Sequence, residues 1–211
     1  MTASAPSHPP KTLAARVFSS SSYVLLGYGG SQFVRLVSNL ILARLLFPEA
    51  FGIMALVTMV MVGLELFSDI GIGPAVAQSQ RGDDPDFLNT AWTVQVIRGF
   101  VLWGVAMALA LPMAAFYDTP ELAGYIAVAG LGAVFSGFLP TKVETGYRHL
   151  NIGRVVATDL AAQVVAIVVM VAAAYYTRSV WALVIGGLID PIARVALSNL
   201  FIPGPSNRFR W

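Results

Sequence analysis

Residues 51–76 read FGIMALVTMVMVGLELFSDIGIGPAV, a run that stays apolar for about four helical turns before its first charge, Glu65. About 20 such residues, wound as a helix, cross the ~30 Å of hydrocarbon in a bilayer, so Phe51–Val76 reads as a transmembrane helix. Pro48-Glu49-Ala50 stands directly before it, and before that lies a second apolar run, Tyr23–Phe47. Proline pushes the residue ahead of it out of the helical region. The first run therefore stops at Pro48 and the chain turns back at once as a helical hairpin.

The same pattern recurs along the chain at Thr90–Phe116, Ala123–Leu139, Val155–Tyr176 and Val180–Phe201, giving about six spans. Of 211 residues 57% are hydrophobic and 11% charged, where soluble domains carry about 25% charged residues. That shortfall excludes a disordered chain, a basic nucleic-acid-binding module and an ordinary cytosolic enzyme. The runs lack the short in/out alternation of lipid-facing strands. The expected fold class is an all-α integral membrane protein, a bundle of about six transmembrane helices. Cysteine is absent, so neither disulfide nor thiolate metal site is available.

Residues 1–22 are polar and rich in Pro and Ser, with no separate apolar core and cleavage site, and read as an amino-terminal tail before an uncleaved first span. Residues 23–202 form the bundle and 203–211 a carboxy-terminal segment. Lys11, Arg16, Arg81, Lys142, Arg148, Arg154, Arg208 and Arg210 fall on one side of the membrane and Arg178 alone on the other, which places both termini in the cytoplasm. The pI near 9.1 accompanies a net charge of only +2, with the basic residues spread over loops. It reflects this orientation rule rather than a nucleic-acid partner.

The informative charges are those at hydrocarbon depth, each costing at least ~2.5 kcal/mol unless paired or wetted. Arg44 lies within a turn of Pro48, where its stem can snorkel to the interface. Asp159 is close to Arg154 at the end of its helix, where an exposed or salt-bridged position costs little. Arg35 and Arg98 lie deeper. Glu65 and Asp69 are spaced i, i+4 and share a helix face, so two carboxylates need a cation, a proton or an arginine between them. Asp190 and Arg194 have the same spacing and can pair along their own helix. Such charges point inward, either as interhelical ion pairs or as the lining of a wet cavity.

In a cavity, Arg35, Arg98 and Arg194 would bind a phosphate or carboxylate through paired hydrogen bonds. Glu65, Asp69 and Asp190 would balance that charge or carry a coupling H+ or Na+; a purely structural network of the same residues is the competing reading. Asp69-Ile-Gly-Ile-Gly-Pro74 and Asp190-Pro191 set helix breakers beside acidic residues, as in the discontinuous helices of transporters. Gly99, Gly104, Gly132 and Gly137 suggest close helix packing. No phosphate-cradling loop, His/Glu metal helix or Ser/His/Asp grouping is present, and His8 and His149 lie outside the spans. No catalytic residue, cofactor or metal site is expected, and the chain reads as a non-enzyme.

The stretches Asn39-Leu-Ile-Leu-Ala-Arg-Leu-Leu-Phe-Pro-Glu-Ala-Phe-Gly52 and Leu64-Glu-Leu-Phe-Ser-Asp-Ile-Gly-Ile-Gly-Pro-Ala75 resemble the amino-terminal hairpin of polysaccharide exporters, the Wzx-type flippases of the MOP superfamily. Tyr147-Arg-His-Leu-Asn, Val180-Trp-Ala-Leu-Val-Ile-Gly-Gly and Pro203-Gly-Pro-Ser-Asn-Arg-Phe-Arg-Trp211 resemble the family's fifth and sixth helices and the segment after them. The resemblance implies flipping of polyprenyl-diphosphate-linked oligosaccharide across the bacterial inner membrane for lipopolysaccharide, O-antigen or exopolysaccharide synthesis. It also implies two facing six-helix lobes, of which this chain corresponds to the amino-terminal one. A second bundle or self-association would then complete the cavity, and the chain by itself would be a partial, inactive piece. A non-transport scaffold subunit of a polysaccharide assembly complex is the alternative, and a membrane glycosyltransferase ranks third.

Overall fold

The computed structural model describes residues 13–68, 71, 79, 81–148, 152–204 and 207–209. Among them the chain forms seven helices and no strand: α1 (Leu13–Leu45), α2 (Pro48–Ser68), α3 (Pro85–Phe116), α4 (Leu122–Gly137), α5 (Lys142–Arg148), α6 (Ile152–Thr177) and α7 (Trp181–Phe201). The protein is an all-α bundle of membrane-spanning type, as its apolar runs require.

The number of spans differs from the expected six. Four helices, α2, α3, α6 and α7, are long and apolar enough to cross a membrane, and a fifth span arises if α4 and α5 count as one helix bent by 59°. The bend falls at Leu139-Pro140, where proline cannot continue the helix. α1 falls short for a different reason. It starts at Leu13, well ahead of Tyr23, and between positions 27 and 39 it carries Gly27, Gly29, Gly30, Ser31, Gln32, Arg35, Ser38 and Asn39. That polar content dilutes its apolar character without breaking the helix.

The first hairpin forms where Pro48 dictates. Leu46 N–H closes α1 on the Leu42 carbonyl, and α2 begins at Pro48, a position that suits proline because the first helical N–H has no partner. Two further turns, at 117–121 and 178–180, lie at the same end of the bundle, the turn end; the opposite end is the tail end. Asp118 (φ 50°) and Arg178 (φ 47°) take left-handed conformations in these turns.

Helices α3 and α4 pack as one antiparallel pair and α6 and α7 as another; α4 meets α7, α1 lies along α6, and α2 rests on α4 and α3. Small residues set the close approaches. A Cβ on Gly99 would lie 2.6 Å from the Ala133 carbonyl oxygen, and one on Gly137 2.9 Å from that of Gln95, so the α3/α4 seam admits only glycine there. Gly104 faces open space and Gly132 only approaches Pro191 at 3.9 Å, so of the four expected packing glycines two do that work. Gly27 seats Val156, and Ser31 Oγ donates to Gln163 Oε1 at 2.7 Å while Gln163 Nε2 returns a hydrogen bond to the Ser31 carbonyl at 3.2 Å. The polar residues of α1 thus partly serve to hold it on α6.

The main apolar core gathers at the turn end, around Leu42, Val57, Ala106, Ala110, Leu122, Ile126, Ala174 and Val184. A smaller cluster, Val143, Val155 and Ile202, closes the tail end. Beyond α7 the chain doubles back: the Asn207 amide pairs with Thr141 N–H at 3.0 Å and Thr141 Oγ1 at 2.7 Å. Arg208 N–H donates to Asn89 Oδ1 at 2.8 Å, and the Phe209 ring lies 4.8 Å from that of Trp92. α2 packs on the turn-end core between Ala50 and Leu64, yet leaves open space beside it on the side of α3, α4 and α7.

Candidate functional site

Two adjoining recesses open where α2 separates from the bundle. The first, about 450 Å³, lies between α2, α3 and α4 and is lined by Glu65, Gln95, Arg98, Gly99, Ser136 and neighbouring apolar residues. The second, about 280 Å³, lies between α2, α4 and α7, with Thr58, Glu65, Ser136, Asp190, Pro191 and Arg194 in its wall. Glu65, Ala133 and Ser136 belong to both, so the recesses meet along one edge of α2.

Helix periodicity explains the first lining. Gln95, Arg98, Gly99 and Leu102 follow i, i+3, i+4, i+7 and share one face of α3. The glycine holds α4 close, while the arginine reaches across to α2. Arg98 Nε donates to Ser68 Oγ at 3.1 Å, and Nη2 donates to the Glu65 carbonyl at 3.3 Å. The guanidinium therefore sits against the carbonyl end of α2, where the helix dipole favours a cation. Among the described residues the Glu65 carboxylate forms no salt bridge.

In the second recess Arg194 is a hub. Its Nε lies 3.1 Å from Asp190 Oδ2 one turn back on α7, the pairing the spacing predicts, and its Nη1 lies 3.5 Å from Asp159 Oδ1 on α6. All three side chains stay about a third or more accessible. α7 runs unbroken through Pro191, so the Asp190-Pro191 pair does not make a discontinuous helix.

Of the six residues named from sequence, the structure brings Arg98, Glu65, Asp190 and Arg194 around the paired recesses. Arg35 is not among them: it is exposed on α1, a helix that lines neither recess. Asp69 lies outside the described residues. Reading the sequence missed Gln95, Ser136 and Thr58 as wall residues, and it missed Asp159 as the interhelical partner of Arg194. The signal for Gln95 is its i−3 relation to Arg98. For Asp159 it is the flanking of Val155, Thr158 and Ala162, all buried, which puts residue 159 at the edge of the packed face of α6.

A family model described as polysaccharide biosynthesis protein matches residues 41–208, from the last turn of α1 to the returning tail. No curated protein and no solved structure matches the chain.

Proposed function

We propose that this chain, which belongs to the polysaccharide biosynthesis protein family, acts in export. In this reading it is one lobe of a Wzx-type flippase that carries polyprenyl-diphosphate-linked oligosaccharide across the bacterial inner membrane, for lipopolysaccharide, O-antigen or exopolysaccharide synthesis. The observation that carries the proposal is the gathering of Arg98, Arg194, Glu65 and Asp190 around two recesses that meet along α2. Intramembrane ionisable residues are retained where they bind or move something.

Arg98 and Arg194 supply guanidinium groups for the diphosphate oxygens. Glu65, with no salt-bridge partner among the described residues, and Asp190 offset that charge or take up the coupling H+ or Na+, with Asp69 in the same role. Arg35, away from both recesses, acts elsewhere. The reaction breaks no covalent bond, so the protein is no enzyme. A second bundle, or another copy of this one, supplies the facing wall, and the lobes rock against each other. The termini lie on the cytoplasmic side under the positive-inside rule.

Arg194 is held by two carboxylates, which favours a second reading, a scaffold subunit whose charges only fix the bundle. The two separate on Arg98. In cells dependent on a complete transporter carrying this bundle, Arg98→Ala is expected to lower polymer export at least tenfold at unchanged protein level, with Arg98→Lys partly active. Full export by Arg98→Ala and Arg194→Ala together, at normal protein level, overturns the transport reading.

A further inference from the structure

Helix α1 carries its side chains in three sectors. Gly27, Gly30, Ser31, Val34, Ser38 and Leu42 are buried or half-buried, and of these Gly27, Gly30 and Ser31 meet α6. Leu25, Phe33, Leu36 and Leu40 are 58–72% exposed and apolar, a face made for lipid. Between these two sectors run Tyr28, Gln32, Arg35 and Asn39, spaced i, i+4, i+7, i+11 and all exposed. At 100° per residue they occupy about 60° of arc over ~16 Å of helix.

This stripe cannot face hydrocarbon. Taken as the span that the Tyr23–Phe47 run predicts, although it is less apolar than the other spans, α1 places Arg35 ten residues from its Leu45 end, ~15 Å down the helix and so near the middle of a ~30 Å core, too deep for its stem to reach the interface. Polar side chains at that depth face protein or water. A packed helix partner calls for small residues, whereas three of these four side chains are long. Within the stripe Gln32 Nε2 donates to Tyr28 OH at 2.9 Å, and among the described residues the Tyr28 proton and the Gln32 carbonyl have no further partner. The result is a narrow track of alternating donors and acceptors with one aromatic ring and one cation, about three sugar rings long.

We infer that the Tyr28–Gln32–Arg35–Asn39 stripe binds the glycan of the lipid-linked substrate. Carboxamides match vicinal hydroxyls, the tyrosine ring takes the apolar face of a pyranose, and Arg35 takes hydroxyls or an acidic sugar. The inference rests on the export reading above. It separates two jobs that the arginines would otherwise share, with Arg98 and Arg194 on the diphosphate and Arg35 on the sugar.

The absence of cysteine makes the test direct. In membrane vesicles, single variants Gln32→Cys, Arg35→Cys and Asn39→Cys are treated with a charged methanethiosulfonate reagent, beside Leu36→Cys and Leu40→Cys from the lipid sector. The stripe cysteines are expected to react at least tenfold faster than the controls. Polyprenyl diphosphate carrying an oligosaccharide is expected to protect them, and sugar-free polyprenyl diphosphate is not. In the cysteine-free protein, Gln32→Ala with Asn39→Ala is expected to weaken binding of the glycan-bearing lipid about tenfold, two lost hydrogen bonds, and to leave the sugar-free lipid unchanged.

Equal labelling of both sectors overturns the inference, as does equal protection by the two lipids. So does a disulfide-linked dimer of the Gln32→Cys or Asn39→Cys chain, which would put a second copy on the stripe. The export reading fails separately, if the unaltered protein binds neither lipid or if Arg98→Ala binds sugar-free polyprenyl diphosphate as well as the parent does.

Discussion

Arg194 on α7 and Asp159 on α6 approach to 3.5 Å, Nη1 to Oδ1, while the same guanidinium holds Asp190 on its own helix. One cation thus serves two carboxylates and ties the two most extensively packed helices about two turns from their tail ends. The i, i+4 spacing of Asp190 and Arg194 predicts half of this arrangement. The other half comes from tertiary packing, which sets the packed faces of α6 and α7 together.

Removing the hub leaves two carboxylates facing each other. Arg194→Leu is expected to destabilise the bundle by about 1–2 kcal/mol, below the 3–5 kcal/mol of fully enclosed pairs because the side chains remain partly accessible. Adding Asp159→Asn and Asp190→Asn should recover most of the loss. Thermal unfolding in detergent micelles reads both effects.

The α3/α4 seam should tolerate no side chain at two positions. Gly99→Ala places a methyl 2.6 Å from the Ala133 carbonyl oxygen, so the helices must part. A loss of about 1–3 kcal/mol is expected. Gly104→Ala, on the same helix but facing open space, is expected to be neutral or slightly stabilising. Equal losses for the two variants would show that the seam is looser than these distances require.

The α1/α6 contact should depend on Gln163. Its amide exchanges two hydrogen bonds with Ser31, and Gln163→Leu removes both. Interhelical hydrogen bonds in membranes are worth about 0.6 kcal/mol each, so a loss near 1 kcal/mol is expected. Hydrogen exchange should rise in α1 and leave α3 unaffected.

Asp84 supplies a pH dependence outside the membrane. Hydrogen bonding from Arg81, first of all, and then from the Asp86 N–H hold its carboxyl below the ordinary value of 3.8. A depressed folded-state value stabilises the protein above the unfolded value, and that stability is lost as pH falls through the folded one. The start of α3 should therefore loosen below about pH 4. Asp84→Asn, which keeps a cap but not the charge, should flatten that dependence in hydrogen exchange of residues 85–90.

The sequence displays the hairpin at Pro48 and the positions of the apolar runs because both follow from local physics, proline geometry and hydrocarbon thickness. The count of spans is less legible. Leu139-Pro140 breaks one run into α4 and α5, and the polar residues of α1 leave that helix less apolar than the others. The site is half legible. Arg98, Glu65, Asp190 and Arg194 stand out as charges in apolar surroundings, but Gln95, Ser136 and Thr58 are ordinary polar residues that only the separation of α2 turns into a lining. Arg35 resembles Arg98 in sequence, yet the two are distinguished by which helix their faces meet.

The uneven distribution of the core gives the bundle a fulcrum. With Leu42, Val57, Leu122 and Val184 locked together at one end, a helix that pivots there disturbs little packing, and a tilt of about 5° carries its far end roughly 3 Å over the ~30 Å of the hydrocarbon core. α2 is the helix placed to do so, with the Arg98 contacts to Ser68 and the Glu65 carbonyl as the tether its far end would strain. Small rotations at a dry, rigid end would then widen or pinch both recesses together, like the blades of shears about a single rivet.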